Sequence, residues 1–280
     1  MITPLEFEKR YHNLVVFLDD FSMVTVDVHN YRLRGSDPAK HHDTVAAENM
    51  KDRILSHLND NIKADTKLEK SEIKAASAAN PWAPLLLMEA GVLHALTQNM
   101  KDAKPRIALV HMGKGWPDDI ALTLSLVAHY KLYDKSLDVK LGVTKYCNDY
   151  IGLDCNGFVG NYARAIGSTL TASTYIGSFA PEAKRRTKLE DVQAKDVMVW
   201  PDYGHITIID SIDPLTKAAD GKPTREARVV ESTAFSGLGN GRDGLQNSLY
   251  AIRSVDAHKK FTIERPKGGG KDLVYIAPLS

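Results

Sequence analysis

The chain is short of cysteine. Cys147 and Cys155 are the only two in 280 residues, too few for a disulfide scaffold, so free thiols in a reduced compartment are the expectation. It also lacks net charge. Lys and Arg number 36 against 35 Asp and Glu, leaving +1, so no global field draws it to nucleic acid or to an acidic membrane. No apolar run approaches the ~20 residues of a membrane-spanning helix. The opening MITPLEFEKRYHN has no basic segment leading into an apolar one, so no secretory signal is expected and the producing cell's cytoplasm is the expected location. Internal repeats and low-complexity tracts are missing too.

What is present reads in two parts. Residues 1–104 form a mixed, mostly helical N-terminal region. LVVFL (14–18) and MVTVDV (23–28) suit strands, although the first also fits a helix. HHDTVAAENMKDRILSHLNDNI places Ile54, Leu55, Leu58 and Ile62 at helical spacing, with Asp43 or Thr44 as cap. DTKLEKSEIKAASAAN suits an exposed helix, and Pro84 starts another in PWAPLLLMEAGVLHAL. Past the boundary, RIALVHM reads as a strand and PDDIALTLSLVAHYKLY as a buried helix. Short strand-like runs then follow at 196–200, 205–210, 227–233, 248–252, 260–264 and 273–277, with PDYG (201–204) as a hairpin turn. DPLTKAADGKPTRE, SGLGNGRDG and ERPKGGGKD are loops by composition. Helices followed by a meander of strands imply an α+β architecture rather than βαβ units.

The chemistry concentrates in YIGLDCNGFVGNYARAIG (150–167). Asp154 is placed to cap a helix whose apolar stripe is Phe158, Val159, Tyr162, Ala163 and Ile166, with Gly167 ending it. Cys155 then occupies the helix N-terminus, where unpaired N–H groups and the helix dipole favour a thiolate. Gly157 and Gly160 each cost roughly 1 kcal/mol inside a helix, which implies that a sheet approaches the backbone closely. In HITIID, His205, Thr207 and Ile209 share one strand face; in ARVVEST, Val229, Glu231 and Thr233 do. A carboxylate inside an apolar strand needs a partner, and His205 is the candidate. Thiol, imidazole and orienting carboxylate are the parts of an activated nucleophile.

GLDCNGFV resembles the nucleophile motif of the NlpC-type cell-wall peptidases, commonly Asp-Cys-Ser-Gly followed by apolar residues. DVMVWPDYGHITII resembles their second motif, in which Gly-Asp opens one strand and Gly-His the next. The resemblance spans about 146–233. It implies an α+β, papain-like core over 105–280, its nucleophile helix packed on an antiparallel sheet. It also implies Cys155 as nucleophile, His205 as general acid and base, and a polar orienting residue on the next strand. Glu231 is the choice there, with Ser232 and Thr233 as weaker options. Oxyanion binding falls to the Cys155 N–H and to an upstream tyrosine, Tyr146 or alternatively Tyr150, with Asp154 alongside at the substrate side. The chain departs from the pattern at Asn156, where Ser is usual, at KYCNDYIG, where a Gly-rich lead-in is usual, and at Lys195, where Gly precedes Asp196. The segment between His205 and Glu231 is long, which suits a substrate-contacting loop.

Other candidates carry less. Cys147 reads as a bystander thiol. His41, His42 and Asp43 have no second cluster to make a metal site. HMGKGW lacks the phosphate-loop spacing, and Asp19 and Asp20 are too close in sequence for a glycosidase pair. The expected activity is a cysteine-dependent amide hydrolase on peptidoglycan stem peptides, a γ-D-glutamyl-diaminopimelate endopeptidase or an amidase. It would use no metal or cofactor, and export without a signal peptide suits an antibacterial effector with an immunity or delivery protein as partner. The alternatives are an acyltransferase or deamidase on a protein or lipid amide, and a non-catalytic binding module.

Overall fold

The computed structural model describes residues 2–18, 22–32, 44–65, 100–234, 243–265 and 270–279. The helices expected between 66 and 99, His41, His42, Asp43, and the Asp19–Asp20 pair lie outside them.

The N-terminal helix α1 (Pro4–His12) begins at Thr3, whose hydroxyl accepts from the Glu6 N–H while the Glu6 carboxylate accepts from the Thr3 N–H. That reciprocal pair, with Pro4 at the first helical position, fixes where the helix starts. A two-stranded antiparallel hairpin follows, β1 (Leu14–Phe17) with β2 (Met23–Val26). Helices α2 (Thr44–Asp65), α3 (Met100–His111), α4 (Pro117–His129) and α5 (Val139–Tyr150) form a helical layer. RIALVHM, expected as a strand, lies mostly within α3. A short apolar run suits either state, and here Ile107 and Val110, one turn apart, are both fully buried in the same core. Helix α6 (Cys155–Ala165) starts where the sequence places it.

The C-terminal strands are β3 (Asp196–Val199), β4 (Ile206–Ile212), β5 (Thr216–Lys217), β6 (Pro223–Thr233), β7 (Gly244–Val255), β8 (Phe261–Glu264) and β9 (Lys271–Pro278). Every pairing among them is antiparallel, in the order β4-β3-β9-β8-β7-β6, and β6 pairs back onto β4. Six strands therefore close into a barrel, which corrects the expected papain-like core of a helix on a sheet. Two features produce the closure. The supposed loop between His205 and Glu231 is mostly paired strand, and β5 adds to the edge of β6. Register shifts at Ile209/Ser211 and at Ile252/Val255 bend the long strands, as bulges do. A closed barrel leaves no unpaired central edge.

Strand alternation divides the buried side chains into two sets. Met198, Ile209, Val229, Tyr250, Ile252, Phe261, Ile263, Val274 and Ile276, drawn from all six strands, fill the barrel. Their neighbours Val197, Val199, Ile206, Ile208 and Val230 face the other way, into a second core with the helices. There Phe7 and Tyr11 of α1 pack on Phe158 of α6, and Phe7 also meets Tyr162. The helix N-terminus is thus fixed against the wall of the barrel.

Lys195, standing where the motif has glycine, has φ +70° and donates its N–H to Ile209 O at 2.7 Å. An L-residue is strained there, which supplies a physical reason for the glycine. Lys195→Gly is expected to stabilise the fold by about 0.5–1 kcal/mol, net of glycine's extra unfolded-state entropy. A higher midpoint of urea denaturation at unchanged slope checks it.

Candidate active site

Three chain segments converge on the N-terminus of α6. Residues 30–32 run beside 151–153, with Leu153 N–H donating to Asn30 O at 2.8 Å and Arg32 N–H to Leu153 O at 3.1 Å. Gly113 donates no side chain to the crowding: at φ +77° its carbonyl accepts from Asp154 N–H at 2.8 Å, and a Cβ there would collide with Arg32 O. Ser232 of β6 ties the same loop to the barrel, its hydroxyl donating to Leu153 O at 2.7 Å. Gly157 and Gly160 are required by close backbone approach, although not by a sheet: a Cβ would meet Gly113 O at the first and the Thr171–Ala172 peptide at the second.

Asp154 caps the helix by accepting from Gly157 N–H. It is 3% exposed and its carboxylate lies 3.4 Å from Lys114 Nζ. Burial pushes its pKa up to about 6 against the opposing pull of Lys114 and the Gly157 N–H. In this structure its carboxylate is engaged internally, by the helix cap and Lys114. Asn156, where the motif has Ser, donates Nδ2 to Ala172 O at 3.1 Å and to Thr174 O at 2.7 Å, pinning the chain that passes the site.

Cys155, His205 and Glu231 come together at one end of the barrel. His205 precedes β4 directly. Its Nε2 lies 2.9 Å from Glu231 Oε2, and its ring is near enough to the Cys155 thiol for the two to influence each other's charge. The Glu231 side chain is fully buried and that of His205 is 15% exposed. Burial would lower the His205 pKa, but the hydrogen bonds and charges of Cys155 and Glu231 outweigh it and raise it to about 9. Burial likewise opposes ionisation of Glu231, yet His205, Tyr250 and Arg265 together hold its pKa below the usual carboxylate value. The Trp200 ring stands edge-on to the imidazole with centroids 4.7 Å apart. Of the weaker options for the orienting residue, Ser232 faces away, toward Leu153.

Tyr146 lies elsewhere in its contacts. Its hydroxyl is 3.2 Å from His111 Nε2 and its ring packs on Tyr150 at 4.8 Å. His111 Nδ1–H donates to Ile107 O at 3.0 Å, so Nε2 accepts from the phenol. Burial lowers the His111 pKa to about 4, keeping it neutral. Tyr146 therefore latches α5 to α3, with Tyr150 packed against it, and its hydroxyl is directed at His111. A different tyrosine, Tyr31, is bridged to Leu153 by its backbone, is 6% exposed, and lies near enough to Cys155 and Asp154 to feel their charges. Burial and the charges of Cys155 and Asp154 push its phenol pKa up, so it stays a proton donor. No local motif announces Tyr31; the usable signal is one tyrosine beside Arg32, followed only by the 30–32 pairing in space. Cys147 is buried, and burial drives its thiol pKa upward.

Among the described residues no group of three His, Cys, Asp or Glu side chains is arranged to hold a metal ion. Comparison of the chain with protein-family models, with curated proteins and with solved structures finds no match.

Proposed function

We propose that the chain is a cysteine-dependent amide hydrolase. The observation that carries this reading is the Cys155–His205–Glu231 set, with the thiol at a helix N-terminus and the neighbouring imidazole held by the buried carboxylate. Cys155 Sγ, as thiolate, attacks the amide carbonyl carbon. The His205 imidazolium gives its proton to the leaving nitrogen as the C–N bond breaks, leaving a thioester. Water then attacks the thioester carbon, passes a proton to His205, and the thiolate departs. The Cys155 N–H and the Tyr31 hydroxyl are the donors for the transient oxyanion. Tyr31→Phe is expected to lower kcat by about 10²-fold with the protein still folded, the size expected for one oxyanion donor; steady-state kinetics check it.

The substrate class is read from the motifs GLDCNGFV and DVMVWPDYGHITII, which support peptidoglycan stem peptides cut at the γ-D-glutamyl-diaminopimelate bond or at an amidase bond. An antibacterial effector exported by a signal-independent route, neutralised by an immunity protein, suits such a substrate. Among the described residues, no helix is long and apolar enough to cross a membrane. Purified muropeptides incubated with the protein should release new primary amines. Turnover of a protein glutamine or a lipid amide in their place would move the substrate to the acyltransferase or deamidase class.

A further inference from the structure

The carboxylate that orients His205 is itself oriented from inside the barrel. Glu231 has two oxygens and no exposure. Oε2 faces His205; Oε1 accepts from the Tyr250 hydroxyl at 2.7 Å. Tyr250 is on β7, on the inward barrel face with Val229 and Ile252, and is 1% exposed. Arg265 lies beside the Tyr250 side chain, its guanidinium 5.6 Å from the centre of that ring and 5.2 Å from the Trp200 ring. Asp272 joins Arg265 at 3.4 Å and accepts from Trp200 Nε1 at 3.3 Å. Trp200 in turn stands against His205. The chain of contacts therefore leaves the imidazole through Glu231, Tyr250, Arg265 and Asp272 and returns to it through Trp200.

We propose that Tyr250, backed by Arg265, is a positioning residue for the reaction, holding Glu231 anionic and aimed at His205. The proposal rests on the reading of Cys155, His205 and Glu231 as the reacting set. An isolated carboxylate in this apolar interior would take up a proton or turn to solvent. Two donors on its two oxygens remove both outcomes. The charged and titratable groups facing Glu231 are His205, Tyr250 and Arg265; those facing His205 are Cys155 and Glu231. Phenylalanine at 250 would fill the same space, so what tyrosine adds is the hydrogen bond to the anion. A weaker anion holds the imidazolium proton less tightly, so loss of the hydroxyl moves His205 toward its neutral form at lower pH.

The test is an NMR titration of the His205 ring, which needs no substrate and so separates this proposal from the choice of amide. In Tyr250→Phe, the His205 proton affinity should fall about three- to tenfold, the scale of one lost hydrogen bond to a charged group partly transmitted to its neighbour. In Glu231→Gln it should fall further. The Tyr250→Phe/Glu231→Gln double variant should then titrate like Glu231→Gln alone, because the hydroxyl acts only through the carboxylate. A folded Tyr250→Phe with an unchanged His205 midpoint overturns the proposal. So does a double variant displaced beyond Glu231→Gln, and that comparison remains available if the single variant is too unstable to titrate. Muropeptides left uncut by a protein that titrates as predicted would overturn the substrate and leave the positioning role standing.

Discussion

Cys155→Ala is expected to abolish amide hydrolysis, with kcat falling by at least about 10⁴-fold, the scale on which covalent catalysis fails without its nucleophile. The fold should survive. Cys155 is 2% exposed and contributes one sulfur to a core already filled by Phe158, Val159 and Tyr162, and the helix cap belongs to Asp154. Far-ultraviolet circular dichroism close to that of the parent, combined with no amine release from muropeptides, is the expected pair of results. Cys147→Ala is the control. Its thiol is buried and held protonated, so activity should remain. Equal activity in Cys155→Ala would remove the nucleophile from the account.

The second large effect concerns His205→Ala, for which kcat/KM should fall at least about 10³-fold, since both the proton acceptor and the partner of the thiolate disappear. It should also destabilise the fold by about 3 kcal/mol, because Glu231 is left buried with one oxygen unpaired. The pH dependence follows from the pKa of about 9. A histidine whose folded pKa lies above its unfolded value contributes stability that is complete below about pH 6.5 and is lost as pH rises through about 9. Activity that requires the imidazolium should decline over that same upper range. Chemical denaturation at about pH 6 and about pH 10 should show the parent losing more stability than His205→Ala between the two. Adding Glu231→Gln to His205→Ala should recover part of the lost stability, since the uncharged amide is cheaper to bury.

The sequence makes the centre of the site legible for a physical reason. A helix cap, a helical stripe and a two-residue strand period are local signals, and Asp154, Cys155, His205 and Glu231 sit at positions those signals define. The closed barrel is not local. Whether β4 ends as an edge or joins β6 depends on bulges at Ile209/Ser211 and Ile252/Val255, which no run of apolar residues marks. RIALVHM misleads because a short apolar run has no period of its own. Tyr31 is hidden because it comes to the neighbourhood of the α6 N-terminus through pairing with Leu153, far along the chain, whereas Tyr146 is near in sequence and faces His111. Tyr250 and Arg265 are hidden likewise, being ordinary residues of a strand and of a strand end until the barrel brings them to Glu231.

The central claim is that the Cys155 sulfur takes up the acyl part of the substrate, with His205 beside it as proton carrier. Mass spectrometry of the parent quenched with acid during muropeptide turnover reads that bond directly, and peptide mapping locates it. The account predicts an added acyl mass on the peptide that carries Cys155, absent from Cys155→Ala. An acyl adduct on another residue, or amine release by Cys155→Ala at the parent's rate, would contradict it.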